Sequence, residues 1–335
     1  MTAALIRPRR RGALITLLLY AIVALPVAPR LATQAAASGR VIPLLAFDPA
    51  RGELAESVVL DPRGIAYISL TYAGEIRTLA PNGAQTRIYL PVGRGGSING
   101  LAVDARGAVY AGVTSPDPTA MGVWQVTPAA ARRRVAALPT NAQPNGLAFD
   151  KAGALYISDS GLGAIWRVRA GSPYAELWLQ HPLLAPPAGK VRIPGVPVAI
   201  PTPGANGLGF YGGVLYVATS GQGIIVRIPL RPDGRAGTPT IRFRHIFGDD
   251  FAFDVRGNLY VTTDPQNTLV RINPAGGVTV LATAADGLSG PSAAAFGTRP
   301  GDRTTLYVSD LSYFSPVKRP GLLKLDVGIP GLSLP

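Results

Sequence analysis

The chain predicts an all-β fold: a six-bladed β-propeller of four-stranded antiparallel blades, its ring closed by an N-terminal strand. Three observations carry that expectation. The first is a phrase repeated six times, an apolar strand ending near an Asp, a short Gly turn, then a strand centred on Tyr. Its copies are ESVVLDPRGIAYIS (56–69), NGLAVDARGAVYAG (99–112), NGLAFDKAGALYIS (145–158), NGLGFYGGVLYVA (206–218), DDFAFDVRGNLYVT (249–262) and SAAAFGTRPGDRTTLYVS (292–309). The second is the spacing. Asp61, Asp104, Asp150, Tyr211, Asp254 and Gly297 stand 43, 46, 61, 43 and 43 residues apart, a period that belongs to propeller blades. The third is the absence of helical periodicity: beyond the leader, runs of strand length alternate with Gly turns.

From the N-terminus, residues 1–37 read as an export signal or an N-terminal anchor. Arg7, Arg9, Arg10 and Arg11 precede an apolar run from Gly12 to Ala28, and Ala35, Ala36 and Ala37 offer small residues for cleavage. Left uncleaved, the same run is an anchor with its Arg residues inside the cell. The protein is therefore expected to be exported, with membrane contact only through that segment. With no cysteine in 335 residues, stability must come from a buried core instead of disulfides. Residues 38–335 form the propeller, and VIPLLAF (41–47) precedes the first copy, free to serve as the missing fourth strand of the last blade. The third copy shows the blade plan best, with strands in PNGLAFD, ALYISDS, AIWRVRA and AELWLQ. The long interval holds a proline-rich stretch, read as a loop insertion at 182–203 on one face.

The formal charge is +13; the leader's five Arg account for five of it, leaving +8. Arg77, Arg167, Arg227, Arg271 and Lys324 recur in the third strand of five copies, which reads as the solvated face of a strand. Nucleic acid is not an expected partner, because aromatic residues are 7% of the chain and mostly spent on the repeating Tyr.

Five residues before each reference position stand Glu56, Asn99, Asn145, Asn206, Asp249 and Ser292. Each begins the first strand of its blade, the strand that lines a propeller's channel, so the side chains are expected to converge at one mouth. A single Asn-Gly is an ordinary turn signal. Glu, Asp or Asn at that place in five of six copies, all in one register, is not. Glu56, Asn145, Asn206 and Asp249, with Asn99 as a candidate fifth, offer an all-oxygen set suited to a hard dication, Ca²⁺ first and Mg²⁺ or Mn²⁺ behind. The Asp that ends each first strand precedes a Gly turn and reads as structural. The series Tyr67, Tyr110, Tyr156, Tyr216, Tyr260 and Tyr307 reads as packing between blades, and Asp159, Asp264 and Asp310 read as turn caps in preference to partners of the ring.

With PNGLAFD, LYISDS and GAIWRV, Glu in the first blade and Asp in the fifth, residues 41–327 resemble the gluconolactonase and regucalcin (senescence marker protein) propellers. More distantly they resemble strictosidine synthases and paraoxonases. The resemblance implies a divalent metal held by Glu56, Asn145, Asn206 and Asp249, and metal-assisted hydrolysis of a lactone or related cyclic ester. Asp249, with Asp250 beside it, is then the catalytic base. The histidine pair of paraoxonase-type lactonases has no counterpart, since His181 and His245 fall outside the ring. The competing readings are an exported propeller that binds a ligand or protein without catalysis, and a lyase or condensing enzyme on the same scaffold. A small molecule is the expected substrate and a monomer the expected state.

Overall fold

The computed structural model describes residues 40–333, and the expected leader at 1–37 lies outside them. Among the described residues no helix is long and apolar enough to cross a membrane. Six four-stranded antiparallel sheets make up the fold, five of them paired in chain order from the first strand outward. In blade three these are Pro144–Phe149, Leu155–Asp159, Ala164–Val168 and Ala175–Gln180. The last blade takes its first three strands from Pro291–Phe296, Thr305–Asp310 and Gly321–Asp326, and its outermost from Ile42–Ala46. Ile42 pairs with Lys324 and Ala46 with Gly321. The N-terminal closure is therefore present, and no blade is left with an unpaired edge facing its neighbour.

The turn after each first strand works as its residues require. Asp150 Oδ1 accepts from Ala152 N and Ala154 N, both at 2.9 Å, and Gly153 supplies the positive φ of +78°. Asp61, Asp104 and Asp254 accept from the amides two and four residues on in the same way. These carboxylates are scaffold.

The core is six cores, one between each pair of adjacent blades. The repeating Tyr crosses these seams. Tyr110 meets Phe149, Tyr156 meets Phe210, Tyr216 meets Phe253 and Tyr260 meets Phe296, all edge-to-face at 4.9–5.2 Å. Each Phe belongs to the first strand of the next blade, and each pair is worth about 0.5–1.5 kcal/mol beyond its buried area.

Arg77 and Arg167 depart from the solvated-face expectation. Arg77 is buried over the Phe47 ring, with Nε 2.5 Å from Glu75 Oε1 and Nη2 3.4 Å from Glu53 Oε1. Arg167 is buried against Tyr156, with Nε 2.6 Å from Glu176 Oε1. The paired carboxylates allow the burial, whereas Arg227 is exposed as expected.

Candidate functional site at the channel mouth

The first strands of the six blades touch one another in a closed cycle around the channel. Their approach explains the glycine that follows the ring position in blades two to four. A Cβ on Gly100 would stand 1.9 Å from the Asn145 carbonyl oxygen, one on Gly146 2.7 Å from the Asn206 oxygen, and one on Gly207 2.4 Å from Asp250 Cα. None of the three has positive φ. The Asn-Gly pairs are thus close-approach points between strands and not turns.

A second device fixes the ring. The residue two after the repeating Tyr reaches across the seam and donates its hydroxyl to the backbone carbonyl of the next blade's ring residue. Ser69 donates to Asn99 O at 2.7 Å, Ser158 to Asn206 O at 2.5 Å, Thr262 to Ser292 O at 2.9 Å and Ser309 to Glu56 O at 3.1 Å. Blade four has Ala218 at that place, and Gly207 N donates to Asp249 O at 2.9 Å at that seam instead.

Glu56, Asn145, Asn206 and Asp249 line one pocket of about 170 Å³. Asn206 donates Nδ2 to Ser220 Oγ at 3.0 Å and to Asp249 Oδ1 at 2.5 Å. That fixes the amide with its oxygen free. The loop insertion forms one wall, through Ile193, Ile200, Pro201, Thr202 and Pro203.

Two expected members stand apart. Asn99 does not line the pocket, and its Nδ2 donates to Pro144 O at 3.0 Å. Asp250 also lies outside the lining, packed beside Gly207 with Oδ1 accepting from Phe251 N at 2.8 Å. Ser292 is structural, donating to Ala55 O at 2.9 Å.

Asp264 is the pocket residue that the sequence reading set aside as a cap. Asp159 does cap its turn, accepting from Gln143 N, Gly161 N, Leu162 N and Trp166 Nε1. In blade five the turn is held instead by the paired hydroxyls of Thr263 and Thr268. Asp264 is left lining the pocket, with Oδ1 buried and without a partner among the described residues. Threonines bracketing the turn were the available signal.

The electrostatics follow from carboxylates crowded in a low-dielectric place. Burial, with the charges of Asp250 and Asp264, pushes Glu56 up to about 8. Burial and the charges of Glu56, Asp264 and Asp250 raise Asp249 well above the usual carboxylate range, partly offset by Asn206. Burial lifts Asp250 to about 7 and Asp264 to about 7, the latter eased by Lys318. No Lys, Arg or His lines the pocket to balance them.

That donor set is compatible with a hard cation. It is all oxygen, it is acidic, and it includes a buried acceptor that no donor reaches. Among the described residues, however, no three His, Cys, Asp or Glu side chains stand close enough to share one ion. The expected set contains two carboxylates, Glu56 and Asp249, and relies on amide oxygens for the rest.

No protein-family profile and no curated protein matches the chain. Solved structures do. The chain is similar to a calcium-binding protein, regucalcin, from Agrobacterium tumefaciens str. C58, with a TM-score of 0.65 and 17% identity over 89% of this chain and 96% of that one. It is similar to a gluconolactonase from Xanthomonas campestris, with a TM-score of 0.63 and 14% identity over 87% and 90%. It is also similar to virginiamycin B lyase from Staphylococcus aureus, with a TM-score of 0.51 and 14% identity over 82% and 96%. At such identities the likeness is one of fold, and the fold is that of the regucalcin- and gluconolactonase-type six-bladed propellers.

Proposed function

We propose that the protein is a metal-dependent hydrolase of a lactone or related cyclic ester, working at the mouth of the central channel. The observation that carries this reading is the convergence of Glu56, Asn145, Asn206 and Asp249 on one pocket without a balancing cation. These four would hold the ion, Ca²⁺ in preference to Mg²⁺ or Mn²⁺ for an all-oxygen shell completed by water or substrate. A dication bound there supplies a Lewis acid for the ester carbonyl. Water adds to the acyl carbon, the acyl C–O bond breaks, and a hydroxy acid leaves. Asp249 would accept the proton of that water. Asn206 holds its orientation through the 2.5 Å hydrogen bond, and Asp250 acts on it through charge.

Two measurements test the reading. Ca²⁺ at one hundred times its Kd should stabilise the protein by about 2.7 kcal/mol, read as a rise in Tm that a chelator reverses. Acid release from a lactone panel in a pH-stat should require the same ion. A Tm unmoved by Ca²⁺, Mg²⁺ and Mn²⁺, with no acid released, removes the hydrolase reading and leaves a ligand-binding propeller.

A further inference from the structure

The walls above the acidic floor are apolar. Ile193, Ile200, Phe247, Pro265, Leu311 and Phe314 line the pocket together with the carboxylates and amides. Hydroxyl donors are scarce. Ser220 Oγ is committed to Gly248 O at 2.7 Å and to Asn206. Thr202 Oγ1 is buried without a partner among the described residues, a single donor for a single substrate oxygen. Lys318 lies over the Tyr313 ring and is held by the Tyr313 carbonyl, outside the lining.

The space is small. At about 30 Å³ per water molecule, 170 Å³ holds about six waters, room for a five- or six-membered ring and little more. Outside it stand three exposed aromatics. Tyr72 (54% exposed) lies 6.5 Å from Tyr313 (46%), and Tyr313 lies 5.0 Å from Phe314 (41%), which also lines the pocket. Through Phe314 this cluster sits beside the acidic mouth.

With the oxygens of Glu56, Asn145, Asn206 and Asp249 turned to the ion, Asp264 and Thr202 are left to pair with substrate, and a polyhydroxylated lactone would bury its further hydroxyls against apolar walls, a cost of about 1–3 kcal/mol for each unpaired group. An anionic substrate would meet carboxylates. We propose, resting on the hydrolase reading, that the substrate is a small neutral lactone with an apolar tail, its ring in the pocket and its tail on Tyr72, Tyr313 and Phe314.

The test compares γ-butyrolactone, γ-heptalactone and glucono-δ-lactone as substrates. In parallel it measures binding of two inert probes, 2-hexylcyclopentanone and gluconolactam, by calorimetry. The tail should lower KM about tenfold, within the range a few methylenes command in an apolar site. The hexyl ketone should bind at least tenfold tighter than the lactam. In the double variant Tyr313→Ala/Phe314→Ala, checked by Tm to be folded, the KM ratio between γ-butyrolactone and γ-heptalactone should collapse toward one. Gluconolactam binding as tightly as the ketone, or a KM ratio that survives the double variant, overturns the proposal. Tail-dependent ketone binding without turnover of any lactone supports the apolar-tail assignment and sinks the hydrolase reading alone. Failure of both probes to bind, with no lactone turned over, overturns both.

Discussion

The two mouths of the channel are made by the same six strands and differ in nearly everything else. Where the first strands begin, side chains are acid or amide around about 170 Å³. Where they end, a hollow of about 1020 Å³ is lined by Val103, Phe149, Phe210, Phe253, Phe296 and the returning Leu332. At the far mouth the polar work is done by turn carboxylates, each with Oδ1 already taken by two of its own backbone amides. At the near mouth Asp264 Oδ1 has no partner among the described residues. The larger cavity is thus mostly apolar, and the smaller is where unpaired oxygen atoms accumulate. Size alone is a poor guide to chemistry when one hollow is apolar and satisfied.

That contrast can be broken in four ways. Phe253→Ala at the far mouth removes a ring stacked on Tyr211 at 5.1 Å and set edge-on to Tyr216. It should cost about 3–4 kcal/mol in urea unfolding while activity per folded molecule stays near wild type; a large activity loss would deny the division of labour. At the near mouth, Glu56→Gln and Asp249→Asn should each lower metal affinity up to about 100-fold, measured by titration calorimetry, with less effect on folding than Phe253→Ala. Unchanged affinity in both would remove the ring assignment. Gly100→Ala should cost about 2 kcal/mol, because its Cβ meets the Asn145 carbonyl. Gly301→Ala, where an added Cβ meets nothing within 4 Å, is the control for that unfolding measurement.

The smallest effect concerns pH. Burial pushes Asp310 up to about 7, partly offset by the hydrogen bond from Ser289 N. Its protonated form is favoured by folding, so its contribution is complete below about pH 4 and is lost as pH rises to about 7. Asp310→Asn should flatten the fall of Tm across that interval. An unchanged slope would mean that the carboxylate is not the titrating group.

Much of this was legible in residues 41–327 before any coordinates. The blade count, the closure by 41–47 and the structural Asp series follow from period and register, which local chemistry dictates. What escaped depended on which neighbour a side chain meets. The Gly after each ring Asn reads as a turn until the next strand is seen 1.9 Å from its missing Cβ. Asp264 resembles Asp159 in sequence position and differs in role because its turn is closed by threonine hydroxyls. Arg77 and Arg167 look like surface cations because Glu53, which precedes the first strand of its blade, and Glu176, on the neighbouring strand, meet them only in the fold.

The hydroxyls that cross four of the six seams hold the ring residues by their carbonyl groups, which every amino acid possesses. That grip consequently makes no demand on the side chain at the ring position. Glu56, Asn99, Asn206 and Ser292 all receive the same grip. A scaffold gripped in this way can exchange acid for amide or hydroxyl, one blade at a time, and so change the chemistry at its mouth without first having to solve its folding again.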